Sequence, residues 1–128
     1  LVQMDLPVTF DDATVLYATA DFGGNASMFV NGPAGGTNQV VQTTKSNSAQ
    51  VWAGTSLSAG APSGFANAIP FSAAGATITV RVYSPDAGIP VRLKVEDSNN
   101  NSITVETEAM TTVANAWETL TFDFTNQV

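Results

Sequence analysis

Arg81, Arg92 and Lys94 are three of the four basic residues in a chain of 128, and all fall within ITVRVYSPDAGIPVRLKVED, residues 78–97. They alternate with Val and Leu, Tyr83 lies among them, and acidic residues follow at Glu96, Glu106 and Glu108. Charges of both signs beside an aromatic ring can hold a neutral polar ligand on a flat platform. The plainer reading is a solvated sheet face laced by cross-strand ion pairs. Facing carboxylates in a cleft could do acid–base work, but these lie beside cations that hold them ionised. The chain has neither His nor Cys. That removes the usual general base, the Ser-His triad, thiolate chemistry and disulfides. No catalysis is expected.

Other residues could bind without reacting. In QVWAGTS, Trp52 points away from Val51 and Ala53. Exposed, it would stack on the axial C–H groups of a sugar ring; in a strand covered on both sides it would be core. Trp117 precedes Leu120, Phe122 and Phe124, an apolar period-two face. Strict alternation puts Trp117 opposite that face, whereas a bulge at Glu118 would turn it inward, into a structural role. Asp11 and Asp12 follow a strand end and Asp21 sits in TADFGGN. Calcium takes about six to eight oxygens, which Asp carboxylates and loop carbonyls supply, although paired Asp residues also suit ordinary turns. DFGGN and GPAGG open no helix and lack the Lys of a phosphate loop, so both are read as turns.

These residues need a scaffold, and periodicity says which. No segment of helical length repeats apolar residues at i, i+3, i+4 and i+7; short alternating runs recur instead, broken by Gly, Pro, Asn and Ser. Strands are predicted at PVTF, TVLYAT, SMFV, QVVQTT, QVWAGTSL, ATITVRVYS, PVRLKVED, SITVETE and ETLTFDF, with turns at NGPAGGTN, SAGAPSG, SPDAGI and DSNNNS. Such spacing predicts an all-β fold, a β-sandwich or barrel. Alternation predicts that Ile78, Val80, Val82, Val91, Leu93, Val95, Ile103 and Val105 face inward. Arg81, Tyr83, Arg92, Lys94, Glu96, Glu106 and Glu108 then face outward, on one face if the three strands form a meander. One allowed register sets Lys94 opposite Glu106 and Arg92 opposite Glu108.

The length fits one domain over residues 1–128. A net charge of −7 argues against nucleic acid and anionic membrane surfaces, and the apolar runs are far too short for membrane insertion. An acidic, Thr/Asn/Ser/Gly-rich composition suggests a secreted or cell-surface protein. The chain opens on Leu without a signal peptide, as expected of a piece of a longer protein or assembly.

LPVTFDD, DFGG, VWAGT, ITVRVYSPDAGIPVRLKVED and ANAWETLTFDF together resemble carbohydrate-binding modules of the galactose-binding-like jelly-roll type. The nearest likeness is to families four and nine and to domains beside laminarin-degrading enzymes of marine bacteria. The resemblance implies a jelly-roll sandwich, β-glucan-like polysaccharide ligands, no catalysis and often a structural Ca2+, here at Asp11 and Asp12. It also implies the inward, structural role for Trp117. On that reading the ligand-binding residues are Trp52, Arg81, Tyr83, Arg92, Lys94, Glu96 and Glu106. Such domains continue past LTFDF for several strands. An incomplete sandwich is therefore expected, completed by a missing segment or by strand exchange with identical subunits, for which LVQMDL is a candidate donor. The alternative to a carbohydrate-binding domain is a structural adhesin repeat or filament subunit.

Overall fold

A computed structural model describes residues 1–57, 60 and 62–126. It is all-β, with no helix among the described residues. The strands are β1 (Val2–Gln3), β2 (Val15–Leu16), β3 (Ala20–Phe22), β4 (Ala26–Asn31) and β5 (Gln39–Thr44). They continue as β6 (Gly54–Ser56), β7 (Thr77–Ser84), β8 (Pro90–Asp97), β9 (Asn100–Met110) and β10 (Ala116–Asp123). They pair as five two-stranded sheets: β1 with β2, β3 with β6, β4 with β5, β7 with β10, and β8 with β9. Two compact units result, Leu1–Ile69 and Pro70–Val128.

In the first unit, β4 and β5 form an antiparallel hairpin with Phe29 opposite Val41 and Val30 opposite Val40. QVVQTT is the strand expected and SMFV extends to Ala26–Asn31, whereas other expected strands shorten. TVLYAT yields only Val15–Leu16, and QVWAGTSL only Gly54–Ser56. PVTF is not a strand, because Phe10 takes a φ of +59°, outside the extended region. Its ring packs against Tyr17 and Phe29, with centroids 5.4 and 6.2 Å away. LVQMDL is used within the unit: Val2 and Gln3 pair in parallel with Val15 and Leu16, and Met4 is buried. The turn expected at residues 58–64 lies partly outside the described residues.

In the second unit, Ala76, Leu120, Phe122 and Phe124 form the buried cluster. Ile78, Val80 and Val82 pack on it from β7, and Val91, Leu93, Val95, Val105 and Ala109 from β8 and β9. Two sheets thus share one apolar interior, consistent with a small β-sandwich. Leu120 and Phe122 are buried as expected, while Val80, Val82, Leu93, Val95 and Val105 are only half-buried, since a two-stranded layer cannot enclose its own rim.

Two expectations are corrected. The meander does not form, because β7 pairs with β10, leaving β8 to β9. Ile103 does not face inward but is 60% exposed. The register shifts between Glu96 and Asp97, and Asp97 pairs with Asn100, so Ile103 lies beyond the regular ladder. Within that ladder Arg92 is opposite Glu108 and Lys94 opposite Glu106, one of the registers that parity allows.

Candidate functional site

In the β7–β10 pair, residue numbers opposite each other keep the same parity, so even positions face the core and odd positions face outward. The outward rungs are Thr77 with Asp123, Thr79 with Thr121, Arg81 with Thr119, and Tyr83 with Trp117. No bulge interrupts this ladder. Trp117 therefore stays on the outer face, 40% exposed, which corrects its expected structural role. Its ring meets Tyr83 edge-on, with centroids 5.7 Å apart and planes at 66°. The Arg81 guanidinium carbon lies 6.0 Å from the Trp117 ring centroid, at the limit of cation–π attraction. Arg81 Nη1 donates to Thr119 Oγ1 at 3.0 Å. An aromatic pair, a planar cation and a row of hydroxyls thus occupy one sheet face.

The β8–β9 sheet turns its apolar side to the same core, so its charged side faces the other way. Arg92, Lys94, Glu96 and Glu106 are consequently separated from Arg81 and Tyr83, contrary to the expectation of one shared face. There they engage one another. Arg92 Nη2 meets Glu108 Oε1 at 2.6 Å and Nη1 meets Glu106 Oε1 at 3.4 Å; Lys94 Nζ lies 3.8 Å from Glu96 Oε2. The hydrogen bond to Glu108, then the charges of Glu108 and Glu106, raise the Arg92 pKa. This is the solvated, ion-paired face of the plainer reading, except that Lys94 takes Glu96 on its own strand rather than Glu106 across the ladder.

Trp52 belongs to the first unit. It sits in a turn before β6 rather than in a strand, is 63% exposed, and lies parallel to Phe22 with centroids 6.4 Å apart. Gly23, at φ +70°, makes room for it: a Cβ there would stand 2.8 Å from the Trp52 ring and from Ala53 Cα. Behind this stack, Asp21 accepts from Thr55 Oγ1 at 2.7 Å and from Ser27 N at 2.9 Å. The Thr55 hydroxyl, with help from Ser27 and Asn25 against partial desolvation, lowers the Asp21 pKa. Asp21 is thus occupied as an acceptor between strands.

The two calcium candidates are also occupied. Asp11 Oδ1 accepts from Gln39 N at 2.8 Å, and Asp12 Oδ1 accepts from Thr14 Oγ1 and N at 2.7 and 2.9 Å. The Thr14 hydroxyl and amide lower the Asp12 pKa. Among the described residues no third acidic side chain joins them in a metal-binding group. Two turn carboxylates fall short of the oxygen set calcium takes, so they do not by themselves fit the ion.

Sequence reasoning brought Arg81 and Tyr83 to the site and missed Trp117 and Thr119. The signal for both was present, since unbroken alternation from Trp117 to Phe124 is what the ladder follows. No protein-family model, curated protein or solved structure matches the chain.

Proposed function

We propose that this chain is a non-catalytic carbohydrate-binding domain of a secreted bacterial protein, taking β-glucan-like polysaccharide on the outer face of β7 and β10. The observation that carries the reading is the Tyr83–Trp117 pair beside Arg81, with Trp117 exposed and Tyr83 half-buried. Aromatic faces accept sugar C–H groups, while the guanidinium and the hydroxyls of Thr79, Thr119 and Thr121 offer hydrogen bonds to ring oxygens and hydroxyls. Trp52, stacked on Phe22 in the first unit, is a second exposed aromatic and is proposed as a separate contact for the same class of ligand.

Affinity electrophoresis through β-glucan tests it. Stacking on an aromatic ring is worth about 1–3 kcal/mol, by analogy with bases, so Trp117→Ala is expected to weaken retention about tenfold or more. Folding should persist, because the ring lies outside the buried cluster. Unchanged retention of wild type and Trp117→Ala in glucan-containing and glucan-free gels would overturn the proposal.

A second reading, an adhesin repeat or filament subunit completed by a neighbouring strand, is favoured by one observation. Every described sheet has only two strands, so each presents edges on which another chain can pair. Concentration-dependent association in sedimentation, without glycan retention, would support it over the first.

A further inference from the structure

The distribution of counter-charges sharpens the ligand class. The chain carries eleven acidic and four basic residues, so carboxylates outnumber cations. Arg92 and Lys94 each have an acidic partner, and Lys45 Nζ is fixed on the Val51 carbonyl at 2.6 Å. Among the described residues no carboxylate lies within 4.0 Å of Arg81. Arg81 holds instead one hydroxyl, Thr119 Oγ1, through Nη1, and leans towards the Trp117 ring. Its remaining N–H groups keep a planar fork suited to a carboxylate. The nearest rungs on that face, Thr79 with Thr121, Thr119, and Tyr83 with Trp117, carry no charge.

A neutral sugar needs donors and acceptors but no net charge. A fixed cation left uncompensated beside the stacking platform selects a ligand that brings its own anion. We infer that the β7–β10 face binds a polysaccharide containing uronic acid, its ring stacked on the exposed Trp117 and its carboxylate held by Arg81. This rests on the carbohydrate-binding reading and moves its ligand from a neutral β-glucan to an acidic polysaccharide. The overall negative charge of the chain opposes polyanions at long range, but salt screens that repulsion beyond about 8 Å at physiological ionic strength, while a direct hydrogen-bonded pair is screened less.

The test compares retention in gels containing a polyuronate, the same polymer with its carboxyl groups reduced to alcohols, and a neutral β-glucan. Wild type is expected to be retained about tenfold or more strongly by the polyuronate than by its reduced form, the effect of one charge-assisted contact. Arg81→Gln should erase that difference, the retention lost on the polyuronate exceeding whatever is lost on the reduced polymer. Arg81→Lys, which keeps the charge and loses the fork, should fall between them. Circular dichroism establishes that each variant is folded, and the selectivity of wild type alone reads out the inference if a variant is not. Equal retention of wild type by the polyuronate and its reduced form overturns the inference and leaves the carbohydrate reading standing. Selectivity that survives in folded Arg81→Gln also overturns it, by placing the anion site elsewhere. Retention by none of the three polymers overturns both.

Discussion

Trp117 and Glu118 are adjacent in sequence and face opposite ways, and their fates show what a single position on a strand decides. Trp117 looks outward onto the aromatic pair. Glu118, half-buried on the inner side, bends to the loop before its own strand and accepts from Thr112 Oγ1 at 2.8 Å, Thr112 N at 3.0 Å and Val113 N at 3.2 Å. The Thr112 hydroxyl, then the two amides, hold its pKa below the ordinary 4.5 despite partial desolvation. A carboxylate with a depressed folded pKa stabilises the protein fully above its unfolded value. That contribution is lost as pH falls through the lowered folded value. Asp5, Asp12, Asp21 and Asp123 are shifted the same way, so the slope of wild type alone would not single out Glu118. The difference from Glu118→Gln does. Urea midpoints measured from about pH 6 to about pH 3 should converge between the two proteins as acid neutralises Glu118. Parallel curves would mean that the contacts at Thr112 and Val113 contribute nothing.

At the scale of elements, the instructive residue is Thr111. Five residues separate β7 from β8, a length that invites a hairpin, yet the chain instead passes from one layer to the other. Thr111 is buried and holds that passage. Its hydroxyl donates to the Asp86 carbonyl and accepts from Ile89 N, both at 2.9 Å, while its own backbone pairs with Ile89 and Gly88. The segment between β7 and β8 is thereby tied to the end of β9. Thr111→Val keeps the shape but strands a part-buried amide and carbonyl, so it should cost about 1 kcal/mol in urea unfolding. Thr111→Ser should recover most of the loss. If Val and Ser variants are equally stable, the hydroxyl is not what routes the chain. The same residue explains what the sequence could and could not disclose. Strands Gln39–Thr44 and Pro90–Asp97 were legible to the residue, and the register of β8 on β9 is one of those that parity allows, because alternation fixes which side each position faces. It does not say which strand lies alongside. Neighbour choice rests on contacts such as those of Thr111, which carry no period. The grouping of Arg81 with Arg92 failed for that reason, and Trp117 was misplaced because a bulge was allowed where the ladder runs straight.

For the molecule as a whole, the two units differ in how much apolar surface they remove from water, and stability should follow that difference. Among the described residues, the first unit buries Met4, with Phe10, Tyr17 and Phe29 in a cluster that stays half-buried. The second buries Ala76, Leu120, Phe122 and Phe124, the last two at 1% and 0% exposure, with Phe71 and Phe124 in ring contact at 5.2 Å. Burying such a side chain is worth about 1.5–3 kcal/mol, and local opening is easiest where buried contacts are fewest. The β7–β10 ladder also runs from Ala116 opposite Ser84 to Asp123 opposite Thr77, and Phe124 N extends it to the Ala76 carbonyl at 2.8 Å. The hairpin of β4 and β5 has six rungs and no fully buried side chain. Amide hydrogen exchange followed residue by residue should therefore find its slowest amides at Val80, Val82, Leu120 and Phe122, and faster exchange at Val30 and Val40, which pair across the β4–β5 ladder. Phe122→Ala, expected to cost about 3–5 kcal/mol, should collapse the protection of β7 and β10. Equal protection of the two groups in wild type would mean that the stability of the β4–β5 hairpin comes from something other than the apolar surface it buries.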